Sequence, residues 1–333
     1  PSMKIDVYAH IMPANYKKVL DNLGRKPALQ DMIESIPTLV DLDQRFRMMD
    51  RYQDLLQVLT LVGTSPEEMA GPKEAVELAM RANDEMAELV FKYPDRFAAA
   101  TAVLPMNNID AAIKEIDRAI NDLKLRGILI RTPINGKPVD LPEFMPIYEK
   151  MSQYNLPIWF HPQRRRDIPE YATETESRYH IWHMWGLPYE TTVAMTRLVF
   201  SGVLEKYPNL KIITHHCGAM IPFFEGRIRG HYDLCEMRLN LKFKRNLTKP
   251  LIEYFRMFYN DTSIHGSTPA LMCGYAFFGA DHILFGTDMP MDSQIGARQI
   301  RDNIQAIEQM DISDSDKKKI FEGNARNLLR LPI

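Results

Sequence analysis

Eight short apolar runs, each followed by a stretch of helical periodicity, constrain the fold of this 333-residue chain more than any other feature. The runs fall at residues 5–10, 55–62, 97–104, 127–132, 157–161, 211–216, 258–261 and 283–285. Several are nearly continuous in Ile, Leu, Val and Phe. Parallel strands covered on both faces read this way, whereas a strand with one wet face alternates. Between the runs, residues 73–92 put Ala75, Leu78, Ala79, Ala82, Met86, Leu89 and Val90 on one helical face. Residues 109–123 and 190–206 read as two more helices, the latter closed by Lys206-Tyr207-Pro208-Asn209. Strand-then-helix alternation of this kind predicts an α/β fold, a (β/α)8 TIM barrel with a helix at its C-terminal end. A doubly wound open sheet is the alternative. The absence of any GxGxxG or P-loop run at a strand-to-helix turn weakens it.

Two segments exceed simple connections. Residues 12–50 form a polar, helix-leaning insertion after the first strand, and residues 164–188 a charged, aromatic loop after the fifth. Loops of this length tend to be lids or binding loops. With no internal repeat and no low-complexity segment, residues 3–333 read as one domain; Pro1-Ser2 reads as an appended pair ahead of a native Met3. A net charge of -2 offers no basic field for nucleic acid. No apolar run reaches membrane-spanning length, and no basic-then-apolar leader is visible. Cys217, Cys235 and Cys273 are scattered and lack CxxC spacing, which fits a reducing cytoplasm.

The chemistry gathers at the strand ends. Ile5-Asp6-Val7-Tyr8-Ala9 runs into His10, Pro157-Ile158-Trp159-Phe160 into His161, and Lys211-Ile212-Ile213-Thr214 into His215-His216. The last strand runs through Phe285-Gly286-Thr287 to Asp288. A single strand-end histidine is ordinarily a hydrogen-bonded core residue. Four strand ends carrying His, His, His and Asp are a pattern that packing does not supply. In a barrel these ends converge on one face, and imidazole with carboxylate suits zinc, manganese or iron.

These motifs resemble the amidohydrolase superfamily over nearly the whole chain. The match is to the branch around aminocarboxymuconate semialdehyde decarboxylase, which includes the γ-resorcylate and 5-carboxyvanillate decarboxylases. It rests on residues 5–13, on Phe160-His161-Pro162, on residues 191–202, on His216-Cys217-Gly218 through Pro222 with Arg227, and on Gly286-Thr287-Asp288-Met289-Pro290. The resemblance implies that His10, His161 and Asp288 ligate one divalent metal, zinc first and manganese second. It makes His216, six residues before Pro222 (222 − 216), the catalytic histidine, with Asp288 also able to move a proton. Strand alternation then points His215 the other way and gives it a structural role, with an exchange of roles left open. One departure is plain: Tyr8 stands where the family has a histidine or glutamate. Either three protein ligands suffice with open positions, or Tyr8 contacts substrate, or metal binding is weak or lost.

The resemblance also implies a homodimer, in which Arg227 reaches the substrate carboxylate of a neighbouring subunit and the helix after Pro222-Phe223-Phe224 lies at the contact. A bidentate guanidinium–carboxylate pair is the physical reason for an arginine there. The early arginine of the aminocarboxymuconate enzyme has no convincing match in residues 12–44, where Arg25 stands, which speaks against aminocarboxymuconate itself as substrate. His180, His183 and Trp185, in Tyr179-His180-Ile181-Trp182-His183-Met184-Trp185, are expected to wall a pocket for a flat substrate, with packing on the barrel rim as the alternative. Arg164-Arg165-Arg166 reads as a solvated charge run with steering of an anion as the sharper alternative. His265 could face the site; His231 and His282 read as surface or packing residues. The function expected is non-oxidative decarboxylation of a small aromatic or dienoic carboxylic acid without an organic cofactor. Hydrolysis of a lactone, amide or carbon–carbon bond needs the same ligands and is the rival. A metal-free binding or scaffold protein is the third reading.

Overall fold

The computed structural model describes residues 3–26, 29–243 and 246–333. Pro1-Ser2 therefore lie outside the described residues, as do Pro27-Ala28 within the expected insertion. Among the described residues seven strands are regular: β1 Lys4–Ile11, β2 Leu55–Leu61, β3 Phe97–Ala100, β4 Ile128–Thr132, β5 Ile158–Pro162, β6 Ile212–Thr214 and β7 Tyr259–Asn260. All pair in parallel, β1-β2-β3 in one sheet and β4-β5-β6-β7 in a second. Single bridges join the two. Ala102 pairs with Ile128 beyond the end of β3, and Asn260 pairs with Ile283. Residues 283–285 fill the eighth position: Leu284 donates to Asn260 O at 2.8 Å, and Phe285 O accepts from Val7 at 2.9 Å. Backbone hydrogen bonds thus run around the whole ring, the expected barrel.

The strand interior is plugged by Val7, Tyr8, Val58, Leu129, Trp159, Ile213 and Leu284, with Leu328 and Leu329 of the C-terminal helix Asn324–Leu329 packed against them. Trp159 spans this core, its indole N–H donating to Val7 O at 2.9 Å. A larger apolar layer fills the space between strands and outer helices. The helix Pro72–Lys92 begins with proline, whose missing N–H costs nothing at a first turn, and buries Ala75, Leu78, Ala79, Ala82 and Met86 as its periodicity predicts. The segment after β1 is helical, with Ala14–Asn22, Gln30–Ser35 and Leu42–Met49, and packs on that helix through Tyr16, Leu20, Ile33 and Leu39.

Two helices differ from expectation. Residues 190–206 divide into Gly186–Phe200 and Val203–Lys206, because Gly202 takes a left-handed φ of 84° and stops the first. Residues 109–123 run as an α-helix only to Asp117 and then widen into a π-turn, Arg118–Asp122. No helix among the described residues is long and apolar enough to cross a membrane.

Candidate metal centre

The C-terminal ends of β1, β5 and β6 and the loop after residue 285 converge as strand order dictates. At β1, His10 Nδ1 faces Thr60 Oγ1 at 2.8 Å and its Nε2 faces Asp288 Oδ1 at 2.9 Å. Beyond β6, His215 Nδ1 is bonded to Asp261 Oδ2, and its Nε2 reaches Asp288 Oδ1 at 3.1 Å. On β5, His161 Nδ1 lies 2.8 Å from Pro162 O, which leaves its Nε2 uncommitted. In all three rings a neighbour engages Nδ1 and so aims Nε2, the arrangement by which outer partners orient metal-ligating histidines. Donor atoms of His10, His161 and His215 lie within 4.8 Å of one another, as do those of His215, His216 and Asp288.

Charge is arranged to match. Burial would raise Asp288, but His215 and the bond from His10 hold its carboxyl well below the usual range. Burial pulls His215 down, yet Asp261 and Asp288 overcome it and raise the ring to about 10. Burial lowers both His10 and His161, so these two are neutral. Neutral imidazoles beside an ionised carboxylate are the protonation states a divalent cation requires. A bound ion would take the place of the His215 proton and so complete the set. The donor chemistry therefore fits one divalent metal held by His10, His161, His215 and Asp288.

His215 is where the structure departs most from strand alternation. β6 ends at Thr214, and His216 sits at a left-handed φ of 57°, so the backbone turns between the two rings. Both rings face the mouth with centroids 4.0 Å apart. His216 Nε2 stands 3.9 Å from Asp288 Oδ2, and its Nδ1 has no partner. Burial, then His215, push it down to about 3. Asp288 is also left-handed, at φ 64°. Two non-glycine residues in this region beside one cluster are strain of the kind that collects at functional sites.

Tyr8, an expected substrate contact, is instead completely buried in the barrel interior. Its hydroxyl donates to Phe160 O at 2.8 Å and its ring stacks on His215. His183 is half-buried, and burial lowers its ring while the charge of Asp288 acts to raise it. His180 and Trp185 are largely exposed, Trp185 at 67%, and His180 packs against Trp182 and His183. His265 is close enough to act on His216 and His183. His282 stacks on Tyr259, a packing residue as expected. Arg227 is exposed on the helix Glu225–Met237 and lines a surface groove of about 970 Å³ together with Phe224, His231 and Tyr232. Arg164 pairs with Glu190, whereas Arg165 and Arg166 pair with neighbours in their own loop.

Three residues around the cluster, Thr60, Asp261 and Arg131, are not singled out by the sequence reading, and His215, read there as structural with an exchange of roles open, turns inward. Asp261 closes the seventh run and Arg131 interrupts the apolar fourth run, so the strand-end rule that found His10 would have found both.

Known proteins resemble this chain over nearly its whole length. γ-Resorcylate decarboxylase of Polaromonas sp. strain JS666 is 33% identical over 96% of this chain and 96% of its own. 2-Amino-3-carboxymuconate-6-semialdehyde decarboxylase of Dictyostelium discoideum is 29% identical over 99% of this chain and 92% of its own. A crystal structure of the dihydroxybenzoic acid decarboxylase from Polaromonas sp. JS666, with bound manganese and the inhibitor 2-nitroresorcinol, superposes with a TM-score of 0.80 at 30% identity, covering 99% of this chain and 97% of that one. The amidohydrolase family model matches residues 5–331, and the chain belongs to that family.

Proposed function

We propose that this protein is a metal-dependent, non-oxidative decarboxylase of a small aromatic carboxylic acid. The observation that carries this reading is the convergence of His10, His161, His215 and Asp288, the three rings held by Thr60, Pro162 and Asp261, in a chain related to γ-resorcylate decarboxylase, which acts on such an acid. Manganese, present in the Polaromonas structure, is the first ion to test and zinc the second. When bound, the ion supplies a Lewis acid that draws electron density from substrate oxygens.

His216 and Asp288 supply the proton chemistry. A ring held neutral begins as an acceptor. His216 takes the proton of a hydroxyl next to the carboxylate and passes it to the ring carbon that bears the carboxylate. The carbon–carbon bond to the carboxylate then breaks, its electron pair returns to the ring, and carbon dioxide leaves. The anionic Asp288 beside His216 offsets the positive charge that the imidazole carries in between. In this reading His183, packed on Trp182, stands beside the site and helps to limit water there.

The chain acts as a homodimer in this reading, with Arg227 entering the partner's site. Phe223, 76% exposed, and the exposed Leu234, Met237 and Leu239 give the helix Glu225–Met237 and its flanks an apolar surface of the kind that interfaces cover. Residues 3–333 form one domain, and its three unpaired cysteines suit the cytoplasm. The direct test is incubation of manganese-reconstituted protein with a panel of hydroxybenzoates in deuterated water. Carbon dioxide release with one deuterium at the vacated ring carbon supports the lyase. Oxygen from water in the product, without carbon dioxide, selects the hydrolase.

A further inference from the structure

Arg131, at the end of β4, is a buried charge on which Glu68 and Glu67 act without forming an ion pair. It is 7% exposed, and no carboxylate pairs with it among the described residues. Its Nη2 donates to Leu61 O at 2.6 Å. Its Nη1 lies 3.0 Å from His161 Nδ1, which itself lies 2.8 Å from Pro162 O. One ring nitrogen serves only one of these contacts. When its N–H donates to Pro162, as a metal-ligating Nε2 requires, Nη1 is left without an acceptor.

The neighbouring groups are equally incomplete. Tyr16, on the helix after β1, is 1% exposed, and its hydroxyl has no partner; Glu67 and Arg131 are the charges that act on it. Glu67, on the short helix Pro66–Met69 after β2, is 5% exposed, and its Oε2 has no partner. Burial pushes its carboxyl up to about 7, so it is a poor counter-ion for Arg131. Glu68 is already bonded by Gln163 at 2.8 Å. A guanidinium held against His161 with a spare donor, and a buried phenol hydroxyl without a partner on which that guanidinium acts, call for an anion.

We propose that Arg131, with Tyr16, binds an oxyanion that the substrate keeps through the reaction: a second carboxylate or an ionised ring hydroxyl. The inference rests on the decarboxylase reading. The leaving carboxylate becomes neutral carbon dioxide, and a fixed guanidinium on it would hold back the reaction. A retained group keeps its charge throughout, so Arg131 orients the ring without opposing the step.

The experiment is calorimetric titration of manganese-loaded protein with benzoate, isophthalate and salicylate, for wild type, Arg131→Gln, Arg131→Lys and Tyr16→Phe, with bound manganese measured in each. Arg131→Gln is expected to weaken isophthalate or salicylate at least about tenfold more than benzoate, with manganese retained and Arg131→Lys recovering part of the loss. Isophthalate as the sensitive probe identifies a second carboxylate, and salicylate a ring hydroxyl. Should Arg131→Gln fail to fold, Tyr16→Phe carries the test with the same selectivity. Equal weakening of all three probes, no weakening, or loss of manganese alone overturns the proposal. The readout is binding, so a failure here leaves the decarboxylase reading intact, and a lack of turnover on every acid leaves this test intact.

Discussion

Tyr8 lies flat on His215, with ring centroids 4.0 Å apart and planes 16° apart. The phenol ring braces the imidazole from one side. The stack fixes the face of the imidazole and Asp261 fixes its edge. Tyr8→Phe keeps the stack and loses the bond to Phe160 O, so it is expected to cost about 1 kcal/mol and to retain metal. Tyr8→Ala leaves a cavity and frees His215, with a cost of about 3–5 kcal/mol and weaker metal binding. Denaturant unfolding and metal titration check both. A Tyr8→Phe protein with full metal and no turnover would show that the phenol acts on substrate.

His216→Asn is expected to lower kcat by about 10²–10⁴-fold with metal content unchanged, because the ring moves a proton and Asp288 remains held by His10 and His215. Metal analysis beside steady-state kinetics separates this from ligation. Loss of the ion would make His216 a ligand.

Mixing Arg227→Ala subunits with His216→Asn subunits tests the dimer. If Arg227 serves its partner's site, each mixed dimer has one site with both lesions and one with neither, and activity is partly restored. With subunit exchange verified by mass, no recovery places Arg227 in its own chain's chemistry or outside it.

Glu67 gives a pH prediction. Burial raises its carboxyl from 4.5 to about 7 in the folded chain. The folded state therefore holds this proton more tightly than the unfolded chain does. Its contribution is fully present below about 4.5 and is lost as pH rises through about 7, by up to about 3 kcal/mol. Glu67→Gln removes that loss. Its stability relative to wild type is expected to climb between pH 4.5 and 8, as read from urea midpoints at each pH. A difference that stays flat with pH would mean that the carboxyl ionises unhindered.

Much of this architecture is legible in the sequence because barrel strands are buried on both faces and must be apolar. The first, second, fourth and fifth runs anticipate regular strands closely. The third, sixth and seventh strands are shorter than read because their ends turn into loops that place Thr101, His215 and Asp261, and the eighth run joins the ring through a single bridge and backbone hydrogen bonds. His10, His161 and Asp288 were legible for the same reason: a polar residue at the end of an apolar run marks the open face. His215 was not, because alternation assumes that the strand continues, and here it ends one residue earlier. Tyr8 misled for a related reason. Its place in the motif suggests the mouth, whereas its ring points into the barrel interior, where Phe160 O takes its proton.

The central claim is a single divalent ion held by four named side chains. Anomalous diffraction from manganese-reconstituted crystals at the manganese edge tests it most directly. The expected result is one peak per chain, in contact with Nε2 of His10, His161 and His215 and a carboxylate oxygen of Asp288, and lost in His10→Ala. A peak held by other residues, or a manganese-saturated protein with no peak among these four, would contradict it.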